Sequence, residues 1–351
     1  VNELGADPFI VPAMGSHGGA TPRGQIKVLE SLGITEESVG APIISSMETV
    51  RIGELDDGTP VHMDKNAFAS DGIIVVNRVK PHTDFKGKIE SGLYKMMAIG
   101  LGKQRGAETI HGNFSRGYHE LITAVGEFIL KNSPIIMGIA LVEDAHHKLS
   151  IIRALEPSEF KQEEKLLEIA KEMLARLPFK EIDVLVVEEI GKNISGVGMD
   201  TNITGRFWMP GEEDPRAPEI KRIVVLDLTE ETHGNALGIG LADLTTRKVF
   251  STIDYEEMYV NGLTQGTTEP SKIPPFRPND RDAIATAIRI SGVKEPEKVK
   301  LVRIKNTLDL EDIWLSEELL KVLNKSGPSD GIEVMGKLSE MRFDIVGNLV
   351  K

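Results

Sequence analysis

The chain contains no cysteine. That absence excludes structural disulfides, thiolate-held iron–sulfur clusters, cysteine–zinc sites and cysteine nucleophiles. Long apolar runs are missing too: nothing approaches the ~18 uncharged apolar residues of a membrane span. No signal-peptide pattern opens the sequence either, so a cytoplasmic protein with no membrane partner is expected. There is no dense Lys/Arg run, and a formal net charge of −13 would repel a phosphate backbone, so nucleic acid is not an expected partner. Three motifs are also lacking: a GxGxxG fingerprint after the first strand, a GxxxxGK[ST] loop and an HExxH pair. Their absence argues against ordinary NAD and nucleoside-triphosphate enzymes and against a protease-like zinc site.

What is present suits a globular chain of two domains: 351 residues, 40% hydrophobic and 27% charged. The first residue is Val1, and VNELGADPFIVPAMG reads as the tail of a helix turning into a strand, so a segment upstream of Val1 is expected. The first half alternates in the α/β manner. DPFIVPAMG reads as a strand before a glycine loop. TPRGQIKVLESLGI reads as a helix with a Thr-Pro start and a Gly stop. DGIIVVNRVKPHT and SPIIMGIALVED carry unbroken apolar rows, which predict parallel strands covered on both faces. Helices follow in YHELITAVGEFILKN and PSEFKQEEKLLEIAKEMLARL. The pattern restarts after Pro178 with EIDVLVVEEIG, then KRIVVLDL, the helix DRDAIATAIRISG and KVKLVRIKN. The stretch from Thr252 to Arg281 has four prolines and little periodicity, and is expected to be loop-rich. The fold expected is therefore two α/β domains, 1–180 and 181–333, with an interdomain active-site cleft and with 334–351 free to return to the first.

Glycine-rich loops follow three of the strands, where α/β proteins place their sites: MGSHGGATPRG, VKPHTDFKGKIESG and EIGKNISGVGMDTNITGR. Such loops offer backbone N–H groups to an anion. His17 lies in the first loop and His82 in the second, beside Lys80 and Pro81. Each taken singly also reads as a polar loop residue. Together they form a pair able to give and take protons near neutral pH. Lys95 and His111 bracket the apolar, glycine-bearing run MMAIGLGKQRGAETIH, and taken alone they read equally as solvated residues.

In that order, with separations of 65, 13 and 16 residues, His17, His82, Lys95 and His111 resemble the nickel-dependent lactate racemase family. GSHGG is similar to its histidine loop, PHTDFKG to its proline-histidine loop, SGLYKMMAIGLG to its lysine segment and GAETIH to its closing histidine. The likeness covers the first 120 or so residues, the remainder being similar only in architecture. The resemblance implies a nickel-pincer nucleotide, a pyridinium mononucleotide whose sulfurs and ring carbon hold nickel. Lys95 would be its covalent tether, His111 the protein ligand of nickel, and Gly18, Gly19, Ser91 and Gly92 parts of its cradle. His17 and His82 would be the proton-transfer pair flanking a small 2-hydroxy acid, racemised by hydride transfer. Where the family presents a Gln and a Lys to substrate, this chain offers Lys192, Asp200, Asn202 and Arg206, which serve either as substrate contacts or as caps and braces of their loop. Two other readings of the residues stay open: a non-catalytic protein binding a nucleotide-like or anionic ligand, and an unrelated hydrolase using His and Asp. The oligomeric state is not legible.

Overall fold

The computed structural model describes residues 1–113, 116–326 and 332–350 of an α/β fold. The chain divides into two compact units, Val1–Leu174 and Ala175–Lys351. No helix among the described residues is long and apolar enough to cross a membrane.

In the first unit, strands β1 (Thr49–Glu54) and β2 (Pro60–Asp64) form an antiparallel pair. Strands β3 (Ile73–Arg78), β4 (Ile135–Glu143) and β5 (Leu149–Leu155) form a second sheet, with β3 parallel to β4 and β4 antiparallel to β5. The helix Pro22–Ser31 begins as its sequence predicts, the Thr21 side chain accepting from Gly24 N–H ahead of a proline in the first turn. The Lys95 spiral runs through helix Leu93–Lys95 and a π-helical turn Met96–Leu101, then breaks at Lys103 (φ +52°) before helix Lys103–His111. Its middle is core, since Met97, Ala98, Ile99, Gly100 and Leu101 are all buried.

Two strand expectations need correction. DPFIVPAMG contributes only an isolated parallel bridge, Ile10 to Ile43. Pro8 and Pro12 have no N–H to donate to a ladder, which limits pairing there. The apolar rows of β3 and β4 are also not covered on both faces. Val75, Ala140 and Val142 are buried, whereas Ile74 is 38% and Val76 50% exposed. With only three strands, one of them antiparallel, the helical segments Leu93–Lys95 and Glu163–Met173 pack on β4 from the inner side and leave the other face open.

The second unit holds a four-stranded sheet. Strand β6 (Glu181–Val187) runs parallel to both β7 (Glu219–Val225) and β8 (Leu301–Ile304), and β9 (Ile313–Leu315) closes the edge antiparallel to β8, giving the order β9–β8–β6–β7. Here the apolar row is covered: every residue from Ile182 to Val187 is buried. The helix Asp280–Ile290, capped by Asn279 accepting from Asp282 N–H, buries Ala283, Ile284 and Ala287 against Val184, Val186 and Val224. The stretch expected to be loop-rich contains a helix, Tyr255–Thr264, started by Asp254 accepting from Glu257 N–H. Its apolar residues Tyr259, Val260 and Leu263 face outward, which is why no periodic stripe marked it. Near the end of the described residues Leu349 N–H donates to Asp280, and Met341, Phe343 and Leu349 pack on the sheet-and-helix core of this unit.

One tie in the first unit bridges distant sequence. Glu163, fully buried, accepts through Oε2 from Leu93 N–H at 2.6 Å and Tyr94 N–H at 3.3 Å, so it caps the start of the Lys95 spiral from 70 residues away. Gly92 admits it, because a Cβ there would lie 2.3 Å from Glu163 Oε1. Burial lifts the Glu163 carboxyl from 4.5 to about 7, against the pull of those two N–H donors. Below the unfolded value both states hold the proton. As pH rises from there to the folded value, the unfolded chain loses it first and stability falls, by on the order of 3 kcal/mol in all. Glu163→Gln keeps an acceptor without the charge. Urea unfolding at pH 5 and pH 8 is expected to show a smaller loss of stability with pH in the variant than in the parent, and equal losses would mean that the ionised carboxylate is accommodated without cost.

Candidate functional site

The loop after β3 is pinned at its ends. Lys80 N–H donates to Ser91 O at 2.9 Å and Ser91 N–H returns to Lys80 O at 3.2 Å, closing residues 80–91 into a compact excursion. Glu90 sits inside it with no exposure. Its carboxylate accepts from His82 N–H at 2.6 Å and Gly87 N–H at 3.1 Å, and it pairs with Lys86 at 3.6 Å and Lys171 at 3.0 Å. Lys86 in turn donates to His82 O at 2.7 Å. Both backbone polar groups of His82 are thus held by charged side chains, which fixes where its ring can point.

That ring makes three defining contacts. Asp84 N–H donates to Nδ1 at 3.1 Å. Phe85 lies alongside with ring centroids 4.6 Å apart. On the opposite nitrogen, Nε2 is in hydrogen-bond contact with the amine of Lys95. Phe85 stacks on Tyr118 at 4.8 Å, and Tyr118 is 5.7 Å from the His111 ring, so an aromatic wall runs from one histidine to the other.

His17 comes from the first glycine loop. Gly15 N–H donates to Gly100 O at 3.3 Å, laying that loop on the π-helical turn. The buried Gln25 amide donates to Gly15 O at 2.9 Å and His17 O at 3.3 Å. Behind it the fully buried Lys103 donates to Pro12 O at 2.5 Å and pairs with Asp64 at 3.4 Å. Gly18 has φ +67°, and a Cβ on it would lie 2.5 Å from Gln25 N, so glycine is required there for both conformation and space.

The electrostatics join the four residues. Burial and the Lys95 charge hold the His82 imidazole well below its ordinary range. Burial brings Lys95 from 10.5 down to about 8, with Asp84 and Glu90 opposing and Lys80 assisting. His111 falls to about 4 through burial, then the charges of Lys95 and His17. Near neutral pH the cluster therefore offers two uncharged imidazoles, His82 and His111, and an amine that is protonated only in part.

Other expected residues have structural work. Ser91 holds the loop closure, Gly92 O accepts from the Asn77 amide at 2.8 Å, and no atom lies within 4 Å of a Cβ placed on Gly19. In the second unit Lys192 donates to Gly196 O at 2.7 Å. Asp200 caps the turn Thr201–Thr204 and accepts from the Asn202 backbone and amide at 2.8 and 2.7 Å, with Asn202 buried. Arg206 pairs with Asp243 at 3.1 Å and donates to Ile220 O at 3.1 Å and Leu241 O at 3.4 Å. Of the two readings left open for these four, their contacts are those of caps and braces. Sequence reasoning missed Asp84, Glu90, Tyr118, Glu163 and Lys171. Asp84 and Glu90 lie in the loop already singled out and could have been flagged there, but nothing local marks the other three. A surface cavity of about 450 Å³, lined by Gly87, Lys88, His119, Glu120, Glu127 and Glu164 among others, contains none of the four convergent residues. The candidate site is placed at the convergence, where the shifted groups are.

No protein-family profile and no curated protein sequence matches the chain. Among solved structures it is similar to the lactate racemase apoprotein from Thermoanaerobacterium thermosaccharolyticum, with a TM-score of 0.51 and 13% identity over 87% of this chain and 78% of that one. A structural-genomics crystal structure from Thermotoga maritima gives a TM-score of 0.46 and 12% identity, over 85% of this chain and 84% of that one. At these identities the first likeness speaks for the fold alone, and the chain has a lactate racemase-like fold.

Proposed function

We propose that this chain is a racemase or epimerase of a small 2-hydroxy acid, working with a nickel-pincer nucleotide attached at Lys95. The observation that carries this reading is the convergence of His82, Lys95, His111 and His17 into one electrostatically coupled cluster. The lactate racemase-like fold supports it.

The donor set fits such a group. A lysine amine held at about 8 is a nucleophile near neutral pH, as covalent attachment to a thiocarboxylate requires. An imidazole held at about 4 is unprotonated and able to ligate metal. Among the described residues no group of three or more His, Asp or Glu side chains could hold a metal ion. A metal at His111 would thus take its remaining donors from the bound group, in agreement with a cofactor that brings its own sulfurs. When bound, the group supplies the acceptor and donor of the α-hydride. His82 and His17 would then exchange the hydroxyl proton of the substrate, one on each face. Two proton-transfer groups are what inversion at carbon needs.

Three outcomes follow. In a host that makes the cofactor, intact mass should show one covalent adduct that Lys95→Ala removes, while His111→Ala keeps the adduct and loses nickel by metal analysis. An unchanged mass in that host would favour a non-catalytic ligand-binding protein. In the loaded protein His17→Ala should keep adduct and nickel yet lower turnover ~10²–10⁴-fold, the usual worth of a positioned acid or base. A histidine that only braces its loop would instead lower activity in proportion to unfolded protein. Turnover in D₂O should return product with its original α-hydrogen, and substantial α-deuterium would rule out hydride transfer.

A further inference from the structure

The loop that carries His17 follows a stretch with no strand ladder, DPFIVPAMG making only the isolated bridge at Ile10. Its carbonyls are met instead by two polar side chains without exposure, Gln25 and Lys103. The Gln25 amide has two N–H groups, and they go to Gly15 O at 2.9 Å and His17 O at 3.3 Å. Lys103 has three, and its neighbours are Pro12 O at 2.5 Å, Gln25 Oε1 at 3.4 Å and Asp64 Oδ2 at 3.4 Å. Each donor of the two side chains thus has an acceptor, and three of those five acceptors are backbone carbonyls of residues 12–17. Asp64 is itself fixed, its Oδ1 accepting from Ala67 N–H at 2.8 Å to cap the helix Lys65–Phe68. Apolar side chains would fill the same volume without the desolvation cost of an amide and an ammonium. What the polar network adds is one fixed arrangement of the loop.

Lys103 also stands at the break in the Lys95 spiral, with φ +52° at the first residue of the helix that ends in His111. A lysine keeps that left-handed backbone only where its surroundings compel it. The loop lies on the same segment, since Gly15 N–H donates to Gly100 O and a Cβ on Gly100 would meet Ala13 O at 2.5 Å. We infer that Gln25 and Lys103 are positioning residues for His17, a buried relay that sets the histidine loop in register with the segment bearing Lys95 and His111. They act through the backbone of residues 12–17, and the inference rests on the reading of His17 as one of the two proton-transfer groups.

The experiment compares the full parent chain with Gln25→Met, which keeps the side-chain length and removes the amide. In protein from a host that makes no pincer nucleotide, hydrogen–deuterium exchange read by mass spectrometry should be on the order of ten-fold faster over residues 13–21, where the Gly15, His17 and Ala20 N–H groups are bonded. Exchange in β6 and β7 should be unchanged. A second variant, Asp64→Asn with Lys103→Met, removes the other half of the relay, leaves no carboxylate unpaired and keeps a capping residue. It should release the same residues, and adding Gln25→Met to it should give little more, because groups acting in series are not additive. In the loaded protein Gln25→Met should keep adduct and nickel, lower kcat on the order of ten-fold and leave KM within about two-fold, since it displaces an acid–base group and not a binding surface. Unchanged exchange over residues 13–21 in both variants overturns the relay. A loss of kcat no larger than the loss of folded protein, in a variant whose loop is released, overturns the positioning role. The exchange comparison needs no cofactor, so failure of the nickel-pincer reading, seen as a missing adduct, is separate from failure here.

Discussion

Two basic side chains in contact, His82 and Lys95, set the terms for the first unit. Both would be charged in water over part of the neutral range, and neither charge is cheap to bury beside the other. Burial lowers both, the imidazole well below its ordinary range and the amine to about 8, and much of the surrounding architecture serves that condition. Asp84 N–H fixes the tautomer of the imidazole, Phe85 and Tyr118 form an apolar wall beside it, and the Lys95 spiral is anchored through a carboxyl that burial pushes toward its own neutral form.

Glu90 and Glu163 show two answers to burying an acid. Glu90 has two backbone donors and two lysines around it, so its negative charge is matched on every side and the loop can be wound about it. Glu163 has two N–H donors on one oxygen and no hydrogen-bond partner for the other. The first positions His82 by charge. The second positions Lys95 by hydrogen bonding, and its proton relieves the orphaned oxygen. Each carboxylate governs where one of the two stands, Glu90 the histidine and Glu163 the lysine.

The second unit shows how a loop rich in charged and amide groups can turn its functional-looking residues inward. Lys192, Asp200, Asn202 and Arg206 close turns, cap a short helix and tie the loop to β7 at Ile220 and to the helical turn at Leu241. A guanidinium that already donates to a carboxylate and two carbonyls has most of its five donors committed. Residue type and a glycine-rich setting raised these positions as candidates, and only the hydrogen-bond partners could distinguish a ligand contact from a brace.

What the sequence determined by itself was local. The strand and helix alternation, the Thr-Pro start at Thr21 and the linear order of His17, His82, Lys95 and His111 rest on neighbouring residues and fixed periodicities, and these could be read directly. What the tertiary structure decided was non-local. Whether the β3 row has one covered face or two depends on how many strands and helices join it, and the sequence of the row is the same in either case. Glu163 meets Leu93 across 70 residues, Lys171 reaches Gly87 across 84, and Tyr118 joins a ring stack that no spacing announces. The protonation of Lys95 is decided last of all. An amine in water follows its own chemistry, but one buried against an imidazole and among charged neighbours follows their field, and that exists only once the chain has folded.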